Sequence, residues 1–145
     1  MTAKEYLGEI RRMDIKISQK QREYDMLLGK RAYINAVAYS ERKGNADFTK
    51  TSNRILDMQQ ELNEDIDRFV NMRNYIIKQI QELKKTEYME ILFKRYVEYK
   101  RFELIACEMK YSYDRTVHMH MEALNRFEDM FLETRRTGRK KSHKA

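Results

Sequence analysis

The chain has 145 residues, a formal net charge of +7 and a charged fraction of 37%. It contains no proline, four glycines and one cysteine, Cys107, so its composition favours an all-α fold and excludes a disulfide framework or a thiolate zinc cluster. No apolar run approaches the roughly 20 residues that cross a bilayer, and the N-terminus lacks a signal-type apolar segment. We therefore expect a cytoplasmic protein.

A first helix is predicted to begin at the N-terminus, because Thr2 and Glu5 have the spacing of a capping box. Its apolar seam follows three- and four-residue steps, with one polar step at Lys20. The apolar members of this seam are Ile10, Met13, Ile17, Tyr24 and Leu27. Residues 40–53 are rich in Ser, Thr, Asn and Gly, and this composition predicts a loop between two long helices.

A second long helix is predicted from Asn53 to Lys85, because apolar residues recur there with a seven-residue period. The members of this heptad seam are Ile55, Leu62, Phe69, Ile76 and Leu83. A helix of this length extends about 50 Å and needs a long partner. Residues 1–85 are accordingly interpreted as an antiparallel helical hairpin within the chain or as a coiled coil that joins two chains. A polar residue in the seam, Asp65, is expected to restrict the register.

Residues 86–134 have the order of a helix-turn-helix unit. Helices are predicted at 86–98 and 101–109, and the small residue Ala106 allows a close helix crossing in the second of them. Lys110 occupies the turn position where a positive φ usually favours glycine. Ser112 is predicted to be the N-cap of a third helix.

This third helix has two faces at helical spacing. One face is apolar and is predicted to be buried, with the residues Thr116, Met119, Ala123 and Phe127. The opposite face is predicted to be exposed, with the residues Tyr113, Asp114, Val117, His118, Met121, Glu122 and Arg126. His118 and His120 lie about 200° apart around the helix, which excludes a metal shared between them.

Residues 86–131 resemble region 4 of sigma-70-type transcription factors. The resemblance is carried by a Leu-x-x-Arg-Tyr segment, a Glu-x-Ile-Ala segment, a turn with Ser, and a final Ala-Leu pair. The matching positions are Leu92, Arg95, Tyr96, Glu103, Ile105, Ala106, Tyr111, Ser112, Ala123 and Leu124. Over about residues 53–131, the chain is similar to phage-encoded late-operon regulators of the RinA and ArpU kind, with Glu108–Ser112 and His120–Leu124 as the most specific segments.

This resemblance implies a transcriptional regulator that reads double-stranded DNA with the helix from Ser112, and it implies contact with RNA polymerase. It assigns base reading to Tyr113, Asp114, Val117 and His118, and phosphate contact to Arg115. Arg126 is a further candidate DNA contact. Sigma factors usually carry arginine at the positions of Tyr113 and Val117, so the target is expected to differ or the binding to be weaker.

Residues 135–145 form a basic tail with a net charge of +6, whereas residues 86–134 carry 7 basic and 10 acidic residues. The tail is interpreted either as a disordered end or as a phosphate-binding arm. Its candidate DNA contacts are Arg135, Arg136, Arg139, Lys140 and Lys141.

An alternative function is protein interaction without sequence-specific DNA binding, with RNA polymerase or another host or phage protein as the partner. It includes inhibition of a host defence nuclease. The sequence contains no recognisable catalytic constellation, and Cys107 is interpreted as a structural thiol. We expect a non-enzymatic protein without a metal or cofactor.

Overall fold

The computed structural model describes residues 1–41 and 45–132. Within these ranges the protein is all-α, as predicted, and contains no strand. The α-helices are α1 (Ala3–Glu41), α2 (Asn45–Gln81), α3 (Thr86–Leu92), α4 (Phe102–Met109) and α5 (Tyr113–Phe131), with a π-helical segment, Phe93–Val97, directly after α3. None of the described helices combines the length and the apolar character that a bilayer crossing requires.

The long helices begin and end differently from the prediction. α1 continues to Glu41 and α2 begins at Asn45, so the loop predicted at 40–53 was wrong at both ends. Low helix propensity was outweighed by packing, because Thr51 and Ile55 are buried. At the other end α2 stops at Gln81, four residues before the predicted end.

The predicted capping box is present: the Thr2 hydroxyl accepts from the Glu5 amide and a Glu5 carboxylate oxygen accepts from the Thr2 amide, at 3.2 and 3.1 Å.

The chain divides into two compact units. Among the described residues, the first unit comprises 1–12 and 71–132, and the second comprises 13–41 and 45–70. Residues 71–85, which the seven-residue period predicts as part of the helical hairpin, cluster in the first unit with residues 86–132. α1 and α2 contribute segments to both units.

The first unit is built around an apolar core to which α1, α2, α3, α4 and α5 all contribute. Phe127 of α5 is fully buried, and its ring centroid lies 5.8 Å from that of Tyr6. The Tyr6 hydroxyl donates to Oε1 of Gln79 at 2.6 Å. The start of α1 and the end of α2 are thus integral parts of this core. Its fully buried aliphatic members are Leu7, Ile10, Ile76, Ile80, Leu83, Ile91, Leu92 and Ile105.

In the second unit, α1 and α2 contact each other within the chain. Ile55 and Leu62 of the predicted heptad seam are buried. The Lys20 ammonium, the one polar step in the α1 seam, donates to the Asp65 carboxylate at 2.5 Å and to Glu61 at 3.0 Å. Glu23, further along α1, lies 4.0 Å from Arg54, which is earlier in α2, so the two segments run antiparallel here.

Candidate nucleic-acid interface

The turn between α4 and α5 has the backbone that the sequence predicted. Lys110 lies in the left-handed region, with φ 60° and ψ 42°. Its amide and that of Tyr111 donate to the carbonyls of Cys107 and Ala106, at 3.3 and 3.0 Å. These bonds satisfy carbonyls at the end of α4, so the turn is well defined despite a residue that disfavours this conformation.

The start of α5 is fixed by two side chains. The Ser112 hydroxyl accepts from the Arg115 amide at 3.2 Å, which confirms Ser112 as the N-cap. The Thr116 hydroxyl donates to the Ser112 carbonyl at 2.8 Å, and Thr116 is fully buried. The first turn of α5 is therefore held against the body of the first unit, and its other side faces solvent.

The two predicted faces of α5 are present in the structure. All four residues predicted to be buried are buried, and His120 and Leu124 join them. Of the predicted reading residues, Asp114 is exposed, Tyr113 is 50% exposed and the His118 side chain is 78% exposed. Val117 is half-buried, so it offers less surface than predicted. These four residues share the first two turns of α5.

Two of the candidate DNA contacts already have partners inside the molecule. The Arg115 guanidinium lies over the Tyr111 ring, 4.3 Å from its centroid. Nε2 of His118 lies 3.0 Å from the Glu122 carboxylate, whose other oxygen accepts from the Tyr88 hydroxyl at 3.0 Å. A phosphate or a base must therefore compete with these contacts, and Glu122 adds negative charge to the exposed face.

Positive charge on α5 is confined to two exposed arginines. Arg126 follows Arg115 by eleven residues, which places them within about 20° of each other around the helix and about 16 Å apart along it. The tail candidates Arg135, Arg136, Arg139, Lys140 and Lys141 lie outside the described residues. Their role as a phosphate-binding arm stays a prediction.

A buried pair of polar rings lies behind the exposed face of α5, and the sequence pattern did not predict it. The Tyr96 hydroxyl lies 2.7 Å from Nε2 of His120. Burial lowers the pKa of His120 to about 4 and raises the pKa of Tyr96 to about 12, so both rings are neutral at pH 7. The one available signal was the position of His120, four residues after Thr116 and three before Ala123 on the buried face.

A metal site was the other kind of site to consider in the described residues. They contain no group of three or more side chains that could hold a metal ion. Cys107 is exposed on α4. The absence of a catalytic role stays a prediction.

No protein-family model, curated protein or solved structure that was compared with the chain matches it significantly.

Proposed function

We propose that the chain binds double-stranded DNA through the first two turns of α5 and acts as a phage-type transcriptional regulator. The observation that carries this proposal is the placement of Tyr113, Asp114 and His118 on the solvent side of a helix whose opposite side is anchored in a core. A helix presented in this way fits the major groove, which admits one α-helix.

The proposed DNA contacts of α5 are of two kinds: contacts that position the helix on the phosphate backbone and contacts that read the base sequence. Arg115 and Arg126 lie on one line of α5 and are suited to phosphate contact, which fixes the register of the helix but not the sequence that it reads. Tyr113 offers an apolar surface to a thymine methyl, and His118 offers a ring nitrogen to a base or a phosphate. None of the four reading positions is an arginine, so we expect modest affinity. The salt dependence should be shallow if Arg115 and Arg126 are the main phosphate contacts, and steeper if the basic tail also binds phosphate.

The experiment is a footprinting and gel-shift series on phage and host promoter DNA, at several salt concentrations from about 50 mM upward. We expect Arg115→Ala to weaken binding to all sequences and to reduce the salt slope by about one. We expect His118→Ala to change the sequence preference. Lys78→Ala, which removes an exposed cation from α2 of the same unit, is the matched control and should have little effect. Absence of protection at any salt concentration would exclude DNA binding.

A second candidate function, protein interaction, is favoured by a different observation in the second unit. Beside the buried heptad seam of α2 runs another stripe with alternating four- and three-residue steps: Ser52, Leu56, Gln59, Asn63, Ile66 and Val70. None of its members is charged, although 37% of the chain is. Leu56, Ile66 and Val70 are 63%, 37% and 45% exposed. Such spacing is typical of a helix face that packs against another helix.

The first partner to test is a second copy of the chain. Leu56 and Val70 each lie seven residues from Asn63, so a two-fold axis at Asn63 would pair Leu56 with Val70 of the other copy. Sedimentation of the wild type should then show a dimer that Leu56→Lys dissociates. The control Glu64→Lys places a lysine beside the stripe at an exposed position and should leave the dimer intact. A monomeric wild type at high concentration would contradict self-association. The partner of the stripe would then be a different helical protein.

A further inference from the structure

A small cavity in the first unit is bordered by basic side chains and by tyrosine rings. Its volume is about 180 Å³, and its lining residues are Lys4, Gly8, Arg11, Arg95, Tyr96 and Tyr99. Three of the six are cationic and none is acidic. Three basic side chains around one cavity raise the local positive potential, which favours an anion at its mouth.

The cavity is formed by two backbone features that bring distant parts of the chain together. Lys4, Gly8 and Arg11 follow four- and three-residue steps and therefore lie on one side of α1. Arg95 and Tyr96 belong to the π-helical segment, where the Glu98 amide donates to the carbonyl of Phe93 at 3.0 Å. π-helical turns are frequent at functional sites. Tyr99, which follows, has a φ of 60°, an unusual value for a tyrosine.

The two arginines are oriented by neutral groups. Arg95 donates to the Lys100 carbonyl at 3.0 Å and lies over the Phe102 ring at 4.5 Å. Arg11 lies over the Tyr99 ring at 5.6 Å. Lys94 and Lys100, next to Arg95, both contact Glu108. The contacts of Arg95 and Arg11 with a carbonyl and two aromatic rings orient both guanidinium groups at the cavity.

The positive potential of this cluster extends to a buried group. After burial, the charges of Arg95 and Lys4 are further causes that lower the pKa of His120. Both cations therefore disfavour protonation of the His120 ring. This ring forms a hydrogen bond with the hydroxyl of Tyr96, which lines the cavity.

We propose that this cavity binds a phosphoryl group, carried either by a small molecule or by a nucleic-acid backbone. A phosphoryl group offers three oxygens to several donors, and guanidinium groups match its geometry. Gly8 leaves room for it, because a Cβ added at Gly8 would meet nothing within 4 Å. The proposal is independent of DNA reading by α5.

The test uses pyrophosphate as the small probe, in calorimetric titration and in NMR titration of His120. Binding should raise the pKa of His120, because the anion offsets the charges of Lys4 and Arg95. The double variant Lys4→Gln/Arg11→Gln should weaken binding at least about tenfold, the change expected from losing one to two charge-assisted contacts. Lys84→Gln, which removes an exposed cation of the same unit, should leave binding unchanged.

Gly8 provides a steric version of the test. Gly8→Leu should block pyrophosphate binding by filling the cavity, while Gly8→Ala should retain folding and most of the binding. If pyrophosphate leaves the pKa of His120 unchanged, or if Gly8→Leu and the double variant bind as the wild type does, the proposal is wrong.

A parallel titration with a short DNA duplex identifies the source of the phosphoryl group. A loss of duplex affinity in the double variant, together with competition by pyrophosphate, assigns the cavity to a backbone phosphate. Retained duplex binding with lost pyrophosphate binding assigns it to a small molecule. If α5 does not read DNA, Arg115→Ala and His118→Ala should bind the duplex as the wild type does. This result does not depend on pyrophosphate binding, so each proposal can fail without the other.

Discussion

The Tyr96 hydroxyl lies 2.7 Å from Nε2 of His120, and His120 is only 5% exposed. The two rings are stacked with their centroids 5.6 Å apart, and Phe102 meets His120 edge-on at 4.8 Å. This contact ties the π-helical segment to α5 behind the proposed DNA-reading face. Its chemistry makes the stability of the first unit dependent on pH.

We expect the free energy of unfolding to fall as the pH drops from about 6.5 to about 4. The folded state keeps His120 neutral to about pH 4, whereas the unfolded chain takes up a proton near pH 6.5. The contribution of neutral His120 to the free energy of unfolding is therefore fully present above pH 6.5 and is lost progressively between pH 6.5 and 4. The full loss, reached below pH 4, is on the order of 3 kcal/mol. Denaturant unfolding at a series of pH values measures it.

His120→Gln should flatten this pH dependence between 6.5 and 5. The control His118→Gln removes the exposed histidine of the same helix and should change the pH dependence much less than His120→Gln does, because an exposed contact contributes little to stability. Equal pH profiles for the wild type and His120→Gln would contradict the assignment.

Replacing Lys110 with glycine should stabilise the protein. Lys110 has a φ of 60° at the end of α4, a conformation that costs a residue with a Cβ about 1 kcal/mol relative to glycine. Lys110→Gly should raise the free energy of unfolding by about that amount. Lys110→Ala keeps the Cβ and should give little or no gain, so a similar gain in both variants would point to the lysine charge instead of the backbone.

Removing the N-cap of α5 should destabilise the first unit. Ser112→Ala deletes the acceptor of the Arg115 amide and is expected to cost about 1 kcal/mol. Ser112→Asp retains an acceptor and should restore most of the loss. Urea unfolding of the three proteins measures the difference, and an Ala variant as stable as the wild type would show that the cap contributes nothing.

The ion pair between Lys20 and Asp65 should couple α1 to α2 more strongly than a surface pair does. The Asp65 side chain is 16% exposed, and the Lys20 ammonium holds the pKa of this carboxyl below its usual value. A double-mutant cycle with alanine should give a coupling of about 1 kcal/mol at pH 7. This coupling should decline as the pH falls below the usual aspartate range, because Asp65 then becomes protonated.

The pair of Glu23 with Arg54 is the matched comparison. It also joins α1 and α2, but its side chains are 55% and 68% exposed and its atoms are 4.0 Å apart. Its coupling should lie near zero. Equal couplings for the two pairs would show that burial does not distinguish them.

The sequence by itself determined the features that depend on residues within one or two helical turns. The Thr2 and Glu5 capping box, the Ser112 cap, the positive φ of Lys110 and the buried face of α5 are of this kind, because each is a local steric or hydrogen-bonding requirement. Only the tertiary structure decided where α1 ends and α2 begins, since the packing of Thr51 and Ile55 outweighs the low helix propensity of the residues before them. It also decided the approach of Lys4 to Arg95 and the pairing of Tyr96 with His120, because residues far apart in sequence meet only when several helices share one core.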